Sequence, residues 1–331
     1  MSGSGTTWSL KQARTQFRKS GCKLKLVFAG TPDVALPALE TLISSEHDVL
    51  AVITQPPARA GRGRELQPSP VHAVADKFGI KALYPDSIRE IDAVLRELQP
   101  DAIPVVAYGQ LIPETMLDIP AQGWINLHFS LLPEWRGAAP VQHCIWRGDA
   151  ITGATTFLID HGMDSGPILG HVTQLVDPKD TSGALLARLA DTGSHLLRQT
   201  LDALEAGMIT PIAQQHDQAT YAPKLQKSDS RIDWQLPAIE IDRRIRAMTP
   251  KPGAWTTMVL SEHEISLSIG PVSTNRDIQL DPGVICVIDK NVFVGSATYA
   301  LELDRIKPPG KKFMLATDWM RGLRTEEVKF F

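Results

Sequence analysis

Short apolar runs alternate with amphipathic segments along the first part of the chain. The apolar runs predict strands buried on both faces, at residues 25–30, 49–53, 80–83 and 101–107. The segments between them have helical periodicity and predict helices at residues 31–42, 71–78 and 88–98. Strands that alternate with helices build a parallel sheet covered on both faces. The pattern therefore predicts an α/β, doubly wound, Rossmann-like domain.

A different pattern begins near residue 227. A helix at residues 237–247 is followed by short strands separated by Gly, Asn and Asp turns, at residues 255–260, 265–269, 283–288, 291–294 and 300–306. Many short strands without intervening helices predict a small β-barrel, and an oligonucleotide-binding-like barrel fits this pattern.

Four segments follow from these two patterns. Residues 1–23 are polar and basic, without the apolar stretch of a signal peptide, and predict a disordered N-terminal extension. Residues 24–206 form the α/β domain, which a long amphipathic helix at 181–206 closes. Residues 207–226 lack clear periodicity and predict a linker. Residues 227–331 form the predicted β-barrel domain.

Candidate chemistry lies where a predicted strand ends, at residues 124–128. Asn126 and His128 are two residues apart, so their side chains leave the same face of a strand. Asp164 follows 36 residues after His128, on a turn bounded by glycines. An imidazole moves protons near neutral pH, an amide stabilises an oxygen that turns anionic, and a carboxylate orients the imidazole.

These three residues suit the transfer of an acyl group directly between two bound substrates, because no Ser or Cys lies in a nucleophile-elbow context. On the residues alone, a structural alternative stays open. Asn126 and His128 could merely satisfy hydrogen bonds at the end of a strand.

Two neighbouring motifs resemble the folate-dependent formyltransferases. They are Asn-Leu-His-Phe-Ser-Leu-Leu-Pro at residues 126–133 and Trp-Arg-Gly-Ala-Ala-Pro-Val-Gln at residues 135–142. The Arg-Gly-Ala-Ala-Pro element is similar to the members whose acceptor is methionyl initiator tRNA. The resemblance runs from residue 25 to about residue 324. Phe129 departs from the family pattern, in which a small residue or proline is more usual.

The resemblance implies a donor, an acceptor and a site. The donor would be 10-formyltetrahydrofolate, as a co-substrate, and the acceptor the α-amine of methionyl initiator tRNA, giving N-formylmethionyl-tRNA. Asn126, His128 and Asp164 match the catalytic triad of the superfamily. The C-terminal barrel would bind tRNA. The residues implied in folate binding are Gly109, Ile112, Ser130, Leu131, Leu132 and Pro133.

An arginine-rich stretch at residues 54–70 is unusually long for a connection between a strand and a helix. It is rich in Pro and Gly and contains Arg59, Arg62 and Arg64. Such a stretch is either a solvated loop or a contact to RNA phosphates and unstacked bases. The resemblance favours RNA, because Arg62 matches the arginine that the family inserts at the tRNA acceptor stem.

Composition adds exclusions more than assignments. The net charge of −3 gives no signal for a nucleic-acid partner, so only local clusters can carry that interpretation. The cysteines, Cys22, Cys144 and Cys286, are far apart and odd in number, which argues against disulfides and zinc and for a reducing compartment. No apolar run approaches the ~20 residues needed to span a bilayer. We expect a cytoplasmic monomer that needs no metal.

Three alternatives to a tRNA-directed transferase stay open. The acceptor could be a purine ribonucleotide precursor or an amino sugar nucleotide, although neither needs an arginine-rich loop and a second domain. Water could be the acceptor, which would make the protein a hydrolase that releases formate. The chain could also be an RNA-binding protein without catalysis, although the intact Asn126, His128 and Asp164 argue against this.

Overall fold

A seven-stranded sheet lies at the centre of the first domain in the computed structural model, which describes residues 23–60, 65–260, 262–323 and 328–331. The strands of this part of the chain are β1 (Lys25–Gly30), β2 (Asp48–Ile53), β3 (Ala58–Ala60), β4 (Glu65–Gln67), β5 (Lys81–Leu83), β6 (Ile103–Val106), β7 (Trp124–His128), β8 (Ile151–Leu158) and β9 (Ile168–Leu175). The sheet has the order β5-β2-β1-β6-β7-β8-β9. Pairing is parallel from β5 to β7 and antiparallel from β7 to β9.

Helices cover both faces of this sheet. They are α1 (Leu36–Ile43), α2 (Pro70–Lys77), α3 (Asp92–Leu98), α4 (Glu114–Leu117), α5 (Pro140–Arg147) and α6 (Ser182–Glu205). In β1, Leu26 and Phe28 face a core shared with α1 and α6, whereas Val27 and Ala29 face a second core shared with α3. Because successive side chains of a strand alternate between faces, β1 is buried on both sides. The predicted doubly wound α/β fold is confirmed.

Local sequence signals set the helix ends. Ser69 precedes α2 and Thr181 precedes α6, and each hydroxyl accepts a hydrogen bond from an amide of the first turn. Helix α5 ends at Gly148, which has a φ of +87°. A Cβ at Gly148 would lie 2.2 Å from Cζ of Arg243, so a larger residue would displace the Arg243 side chain.

The arginine-rich stretch contains a short hairpin that the sequence pattern did not predict. Strands β3 and β4 pair antiparallel, with Arg59 opposite Leu66. Each strand has three residues, too few to show an alternating pattern. Arg59 is exposed on β3. Arg62 and Arg64 lie outside the described residues, as do residues 1–22 of the predicted N-terminal extension.

The second domain is rich in β-structure, as predicted. Its helices are α7 (Ala238–Met248) and α8 (Ala316–Gly322), and its strands are β10 (Trp255–Leu260), β11 (His263–Ile269), β12 (Val272–Asn275), β13 (Ile285–Ile288), β14 (Asn291–Val294), β15 (Ala300–Leu303), β16 (Arg305–Lys307) and β17 (Met314–Leu315). They form two four-stranded sheets, β10-β11-β16-β17 and β12-β15-β14-β13. Residues 268–275 pair with residues 300–307, and the two segments pass together from one sheet to the other, so the two sheets share a continuous core.

The two domains touch through α7. Arg246 donates a hydrogen bond of 3.0 Å to the carbonyl oxygen of Asp180, at the start of α6. The hydroxyl of Ser182 donates one of 2.7 Å to the carbonyl oxygen of Thr249. Each domain has its own apolar core, while the predicted boundaries at residues 206 and 227 stay predictions. None of the described helices has the length and apolar character needed to cross a bilayer.

We expect Arg188→Met to lower the free energy of unfolding by about 1 kcal/mol at pH 7, the upper end for an ion pair that solvent reaches, since the Arg188 side chain is 39% accessible although Asp180 is buried. Arg188 forms two hydrogen bonds of 2.6 Å with the Asp180 carboxylate, and these lower the pKa of Asp180 below its ordinary 3.8. A lowered folded-state pKa stabilises the fold above the ordinary pKa, and this stability is lost as the pH falls through the folded-state pKa. Chemical unfolding at several pH values measures the difference.

The control for this prediction is Arg198→Met. Arg198 also lies on α6, but its ion pair with Asp202 is longer, at 3.4 Å, and exposed on both sides. If Arg198→Met lost as much stability as Arg188→Met, the Asp180 pair would contribute nothing specific. The same would follow if the stability difference between the wild type and Arg188→Met did not decrease below pH 3.8.

Candidate active site

A cavity of about 680 Å³ opens beyond the carboxyl ends of β6 and β7. Along the chain, β2 and β5 follow β1 on one side of the sheet, whereas β7 follows β6 on the other side. The strand order therefore reverses between β1 and β6. Ligands of open α/β sheets bind outside the strand ends at such a reversal. The cavity wall is apolar along the loop after β6 and polar along β7 and the turn at residues 160–164. Its lining includes Gly109, Leu111, Ile112, Asn126, His128 and Asp164.

His128, the last residue of β7, is buried and has an oxygen beside each ring nitrogen. Its Nε2 lies 2.9 Å from the carbonyl oxygen of Trp135. Because a carbonyl only accepts, Nε2 must carry the hydrogen. Its Nδ1 lies 3.7 Å from Oδ2 of Asp164, beyond hydrogen-bond length. In a neutral ring, whose single hydrogen is then on Nε2, Nδ1 is the nitrogen that can accept a proton.

The carbonyl of Trp135 is held in place from several sides. The backbone amide of Trp135 donates to the Thr220 hydroxyl at 2.9 Å, and the indole N–H of Trp135 donates to Asp149 at 2.8 Å. The indole also stacks on His143, with ring centroids 5.7 Å apart. The residue has a positive φ of 59°, which these contacts support against its intrinsic cost. The ring orientation of His128 is therefore set by the turn after β7.

Asp164 lies in a strained turn and points into the same cavity. Its φ is +50°, in the left-handed region that Asp tolerates better than most residues. Its Oδ2 accepts a hydrogen bond of 2.7 Å from the backbone amide of Gly137. Gly137 has a φ of +120°, and a Cβ there would lie 2.7 Å from the carbonyl oxygen of Ala222. The Arg-Gly-Ala-Ala-Pro motif thus supplies the glycine that orients the carboxylate.

Asn126 completes the group, half-buried on β7 and lining the cavity beside His128. The strand therefore presents an amide and an imidazole on one face, as the spacing predicted. The loop of Asp164 brings the carboxylate to them. The structure places all three predicted residues in one cavity; their catalytic roles stay a prediction.

The residues implied in folate binding fall into two groups. Gly109 and Ile112 line the cavity. Ser130, Leu131, Leu132 and Pro133 do not line it within the part of the chain that the structure describes. The Ser130 hydroxyl donates to the carbonyl oxygen of Glu134, and the Ser130 carbonyl oxygen accepts from the Thr155 hydroxyl at 2.7 Å. These four residues build the turn that carries Trp135, and their contact with folate stays a prediction.

Three further side chains line the cavity, and two of them, Tyr108 and Leu111, belong to the segment at residues 108–113 that resembles the family's folate-contacting segment. Leu111 is 94% exposed and Met163 is 62% exposed, both at the cavity. Tyr108 is buried, and its hydroxyl has no hydrogen-bond partner among the described residues. Burial raises the pKa of Tyr108 to about 12, so the phenol stays neutral. Exposed apolar residues beside a cavity suggest a contact surface for a flat apolar ligand.

No set of three or more His, Cys, Asp and Glu side chains that could hold a metal ion occurs within residues 23–60, 65–260, 262–323 and 328–331.

Comparison with known proteins gives matches over both domains. The model of the formyl transferase family matches residues 24–201, and that of the formyl transferase C-terminal domain matches residues 224–324. A methionyl-tRNA formyltransferase of Streptomyces avermitilis is 52% identical over 304 residues, which cover 91% of this chain and 97% of that protein. One from Corynebacterium glutamicum is 51% identical over 319 residues, covering 93% of this chain and 100% of that protein.

Solved structures share the fold at low identity. HypX from Aquifex aeolicus in complex with tetrahydrofolic acid superposes with a TM-score of 0.64 at 15% identity, over 93% of this chain and 51% of that chain. An N-formyltransferase from Helicobacter canadensis, in complex with folinic acid and dTDP-3-aminofucose, superposes with a TM-score of 0.63 at 17% identity, over 86% of this chain and 99% of that chain. At such identity these likenesses speak to the fold alone.

Proposed function

Because the chain belongs to the formyl transferase family, we propose that it transfers the formyl group of 10-formyltetrahydrofolate to the α-amino group of methionyl initiator tRNA. The observation that carries the proposal is the 52% identity to a methionyl-tRNA formyltransferase across both domains. The product would be N-formylmethionyl-tRNA, used to initiate translation. We further propose that the protein acts as a monomer in the cytoplasm, where charged tRNA is used.

The cavity suits a folate donor. Its lining combines apolar side chains, including Leu111, Ile112 and Phe157, with the polar side chains of Asn126 and His128. A cavity with an apolar wall and a few convergent polar groups is typical of small-molecule sites. The volume of about 680 Å³ lies within the usual range for such sites. 10-Formyltetrahydrofolate supplies the formyl group there.

The residues have separate tasks in the transfer. The neutral α-amine of the acceptor attacks the formyl carbon, and the formyl oxygen gains negative charge. Asn126 donates a hydrogen bond to that oxygen, and His128 stabilises its charge as the imidazolium once it has taken the proton of the attacking amine. Since Nε2 is engaged by Trp135, Nδ1 is the ring nitrogen available to the reacting groups. His128 takes a proton from the attacking amine and returns it to the folate nitrogen, which leaves neutral. Asp164 orients the ring and stabilises its protonated form.

The second domain favours tRNA over a small acceptor. A purine precursor or an amino sugar nucleotide needs no separate domain for its recognition. Exposed cations of the second domain include Lys307, Lys311 and Lys312, and such groups bind phosphates. The Helicobacter canadensis enzyme shares the fold at only 17% identity, so the sugar nucleotide in its structure is no guide to the acceptor of this chain.

A single assay separates the candidate functions. The protein is incubated with 10-formyltetrahydrofolate and, in separate reactions, methionyl initiator tRNA, an amino sugar nucleotide, a purine ribonucleotide precursor amine, or water alone. We expect formyl transfer to methionyl-tRNA and slow or no release of formate. Transfer to a small acceptor in preference to tRNA would reject the proposal, and rapid formate release without an acceptor would indicate a hydrolase.

We expect Arg62→Ala to weaken productive use of tRNA by roughly 1–3 kcal/mol, of the order of tenfold in kcat/KM for tRNA, the scale of one arginine contact to nucleic acid. Arg62 is assigned from its match to the family's inserted arginine, and Arg59 on β3 would lie beside the same RNA. The KM for folate should stay the same, because the arginine-rich stretch does not line the cavity where it is described. Steady-state kinetics with each substrate at two salt concentrations measures both effects.

The control is Arg198→Ala, an exposed arginine on α6 outside the arginine-rich stretch. Higher salt should lower kcat/KM for tRNA in the wild type and reduce the difference between the wild type and Arg62→Ala, because phosphate contacts release counterions. If kcat/KM for tRNA were unchanged in Arg62→Ala at both salt concentrations, a small-molecule acceptor would be favoured instead.

A further inference from the structure

Gln214 is a buried polar residue in a segment that is otherwise largely exposed. Only 6% of its surface is accessible, while its neighbours Ala213 and Gln215 are exposed. Buried amides are retained where each donor and acceptor has a partner. The partners of this side chain lie around the Asp164 turn and the Arg-Gly-Ala-Ala-Pro motif.

The carboxamide of Gln214 bridges the two halves of the site. Its Nε2 donates to the carbonyl oxygens of Asp164, at 2.9 Å, and Gly166, at 2.7 Å. Its Oε1 accepts from Nη2 of Arg136 at 2.7 Å and from Nε at 3.1 Å. Two donors and two acceptor positions are thus all used. A glutamate could keep the bond to Arg136 but would place an oxygen against two carbonyl oxygens.

Arg136 is in turn fixed where it stands. It is 4% exposed, and its Nη2 also lies 3.2 Å from Nδ1 of His216. Its backbone amide donates to the carbonyl oxygen of Thr220, and its carbonyl oxygen accepts from the amide of Ala222. The next residue, Gly137, donates to the carboxylate of Asp164 at 2.7 Å. Asp164 is therefore held twice, by its carboxylate through Gly137 and by its carbonyl through Gln214.

We propose that Gln214, held by Arg136, is a positioning residue that fixes the Asp164 turn relative to His128. The inference rests on the proposed roles of Asp164 and His128. Asp164 has a left-handed backbone, which the turn does not favour by itself. Its carboxylate faces Nδ1 of His128 across 3.7 Å, so a small shift of the turn changes how the ring is oriented and how its protonated form is stabilised.

Two substitutions separate the donor and acceptor functions of Gln214. Gln214→Met removes the hydrogen bonds at similar volume and without charge. Gln214→Glu keeps an acceptor for Arg136 and loses both donors. We expect each to lower kcat about tenfold, less than the roughly 10²-fold that a 1 Å misplacement of reacting groups can cost, with little change in the KM for folate or tRNA. For Gln214→Glu, the acidic limb of the pH–rate profile should move to higher pH, because the added negative charge favours protonated His128.

Gln215→Glu is the matched control, since it places the same charge one residue away on an exposed side chain. It should behave as the wild type. A purely structural role for Gln214 would lower the thermal unfolding midpoint and leave kcat and the pH profile of the folded enzyme unchanged, which would overturn the inference. If neither Gln214 variant folds, Arg136→Lys provides the test, because it loses the paired contact to Oε1 but keeps the positive charge. Normal kcat in Arg136→Lys would then overturn it.

Asp164→Asn distinguishes failure of this inference from failure of the proposed function. If Asp164→Asn turns over normally, the assignment of Asp164 is wrong, and the inference falls with it. If Asp164→Asn is slow while both Gln214 variants keep the wild-type kcat, only the positioning role is rejected. A slow Asp164→Asn together with slow Gln214 variants and normal Gln215→Glu supports both.

Discussion

His128→Ala should lower the turnover of formyl transfer by at least ~10²-fold, the contribution of a positioned acid–base group. Its ring is the only group at the cavity that combines a bound Nε2, at 2.9 Å from the Trp135 carbonyl, with an Nδ1 facing a carboxylate, among the described residues. Removing the ring abolishes both proton transfer and stabilisation of the oxygen that gains charge. Single-turnover assays with saturating folate and methionyl-tRNA measure the chemical step.

His195→Ala serves as the control, because His195 lies exposed on α6. Folate binding by His128→Ala, followed by fluorescence or calorimetry, should change far less than turnover. Near-normal turnover in His128→Ala would remove this residue from the mechanism. A parallel loss of folate binding would mean that the ring holds the donor instead of moving the proton.

Asp164→Asn should also lower turnover by at least ~10²-fold. The substitution preserves the shape and leaves an oxygen that can accept from the Gly137 amide, now 2.7 Å from Oδ2. It removes the negative charge that stabilises protonated His128 and places an N–H or a neutral oxygen opposite Nδ1. The loss should therefore appear in kcat and in the acidic limb of the pH–rate profile, which steady-state kinetics over a pH series measures.

Asp191→Asn provides the control, as an exposed aspartate on α6. Thermal unfolding of Asp164→Asn should resemble that of the wild type, because the bond to Gly137 can persist. Retention of wild-type kcat at every pH would reject the role of Asp164. A large loss of thermal stability instead would show that the carboxylate mainly holds the turn.

The sequence predicted elements best where periodicity extends over many residues. The bounds predicted for β1 agree with the structure, and the long helix at 181–206 agrees with α6 to within one residue at each end. Strand β12, Val-Ser-Thr-Asn, was missed because it is short and mostly polar, and its pairing with β15 comes from tertiary context. The hairpin β3–β4 was missed for the same reason.

The site could be predicted where its residues share one strand. Asn126 and His128 follow from the period of two in a strand. By contrast, His128 contacts the Trp135 carbonyl and Asp164 contacts the Gly137 amide. Both contacts depend on backbone groups, which every residue has, so the residue types in the sequence do not predict them. Gln214 lies 50 residues after Asp164 and 78 after Arg136, and one buried glutamine in a polar segment has no periodic signal.

The hydrogen bonds that reach back from residues 214–222 set the shortest catalytic unit that can be cut from this chain. A fragment ending at residue 206 would contain Asn126, His128 and Asp164 but not Gln214, Thr220 or Ala222. It would lose the bridge to the Asp164 turn and the backbone pairing along Arg136. A fragment that ends after Ala222 retains both. The segment that connects the two domains is thus also part of the first domain's structure. Removing the second domain without damage therefore requires keeping most of this segment attached to the first domain.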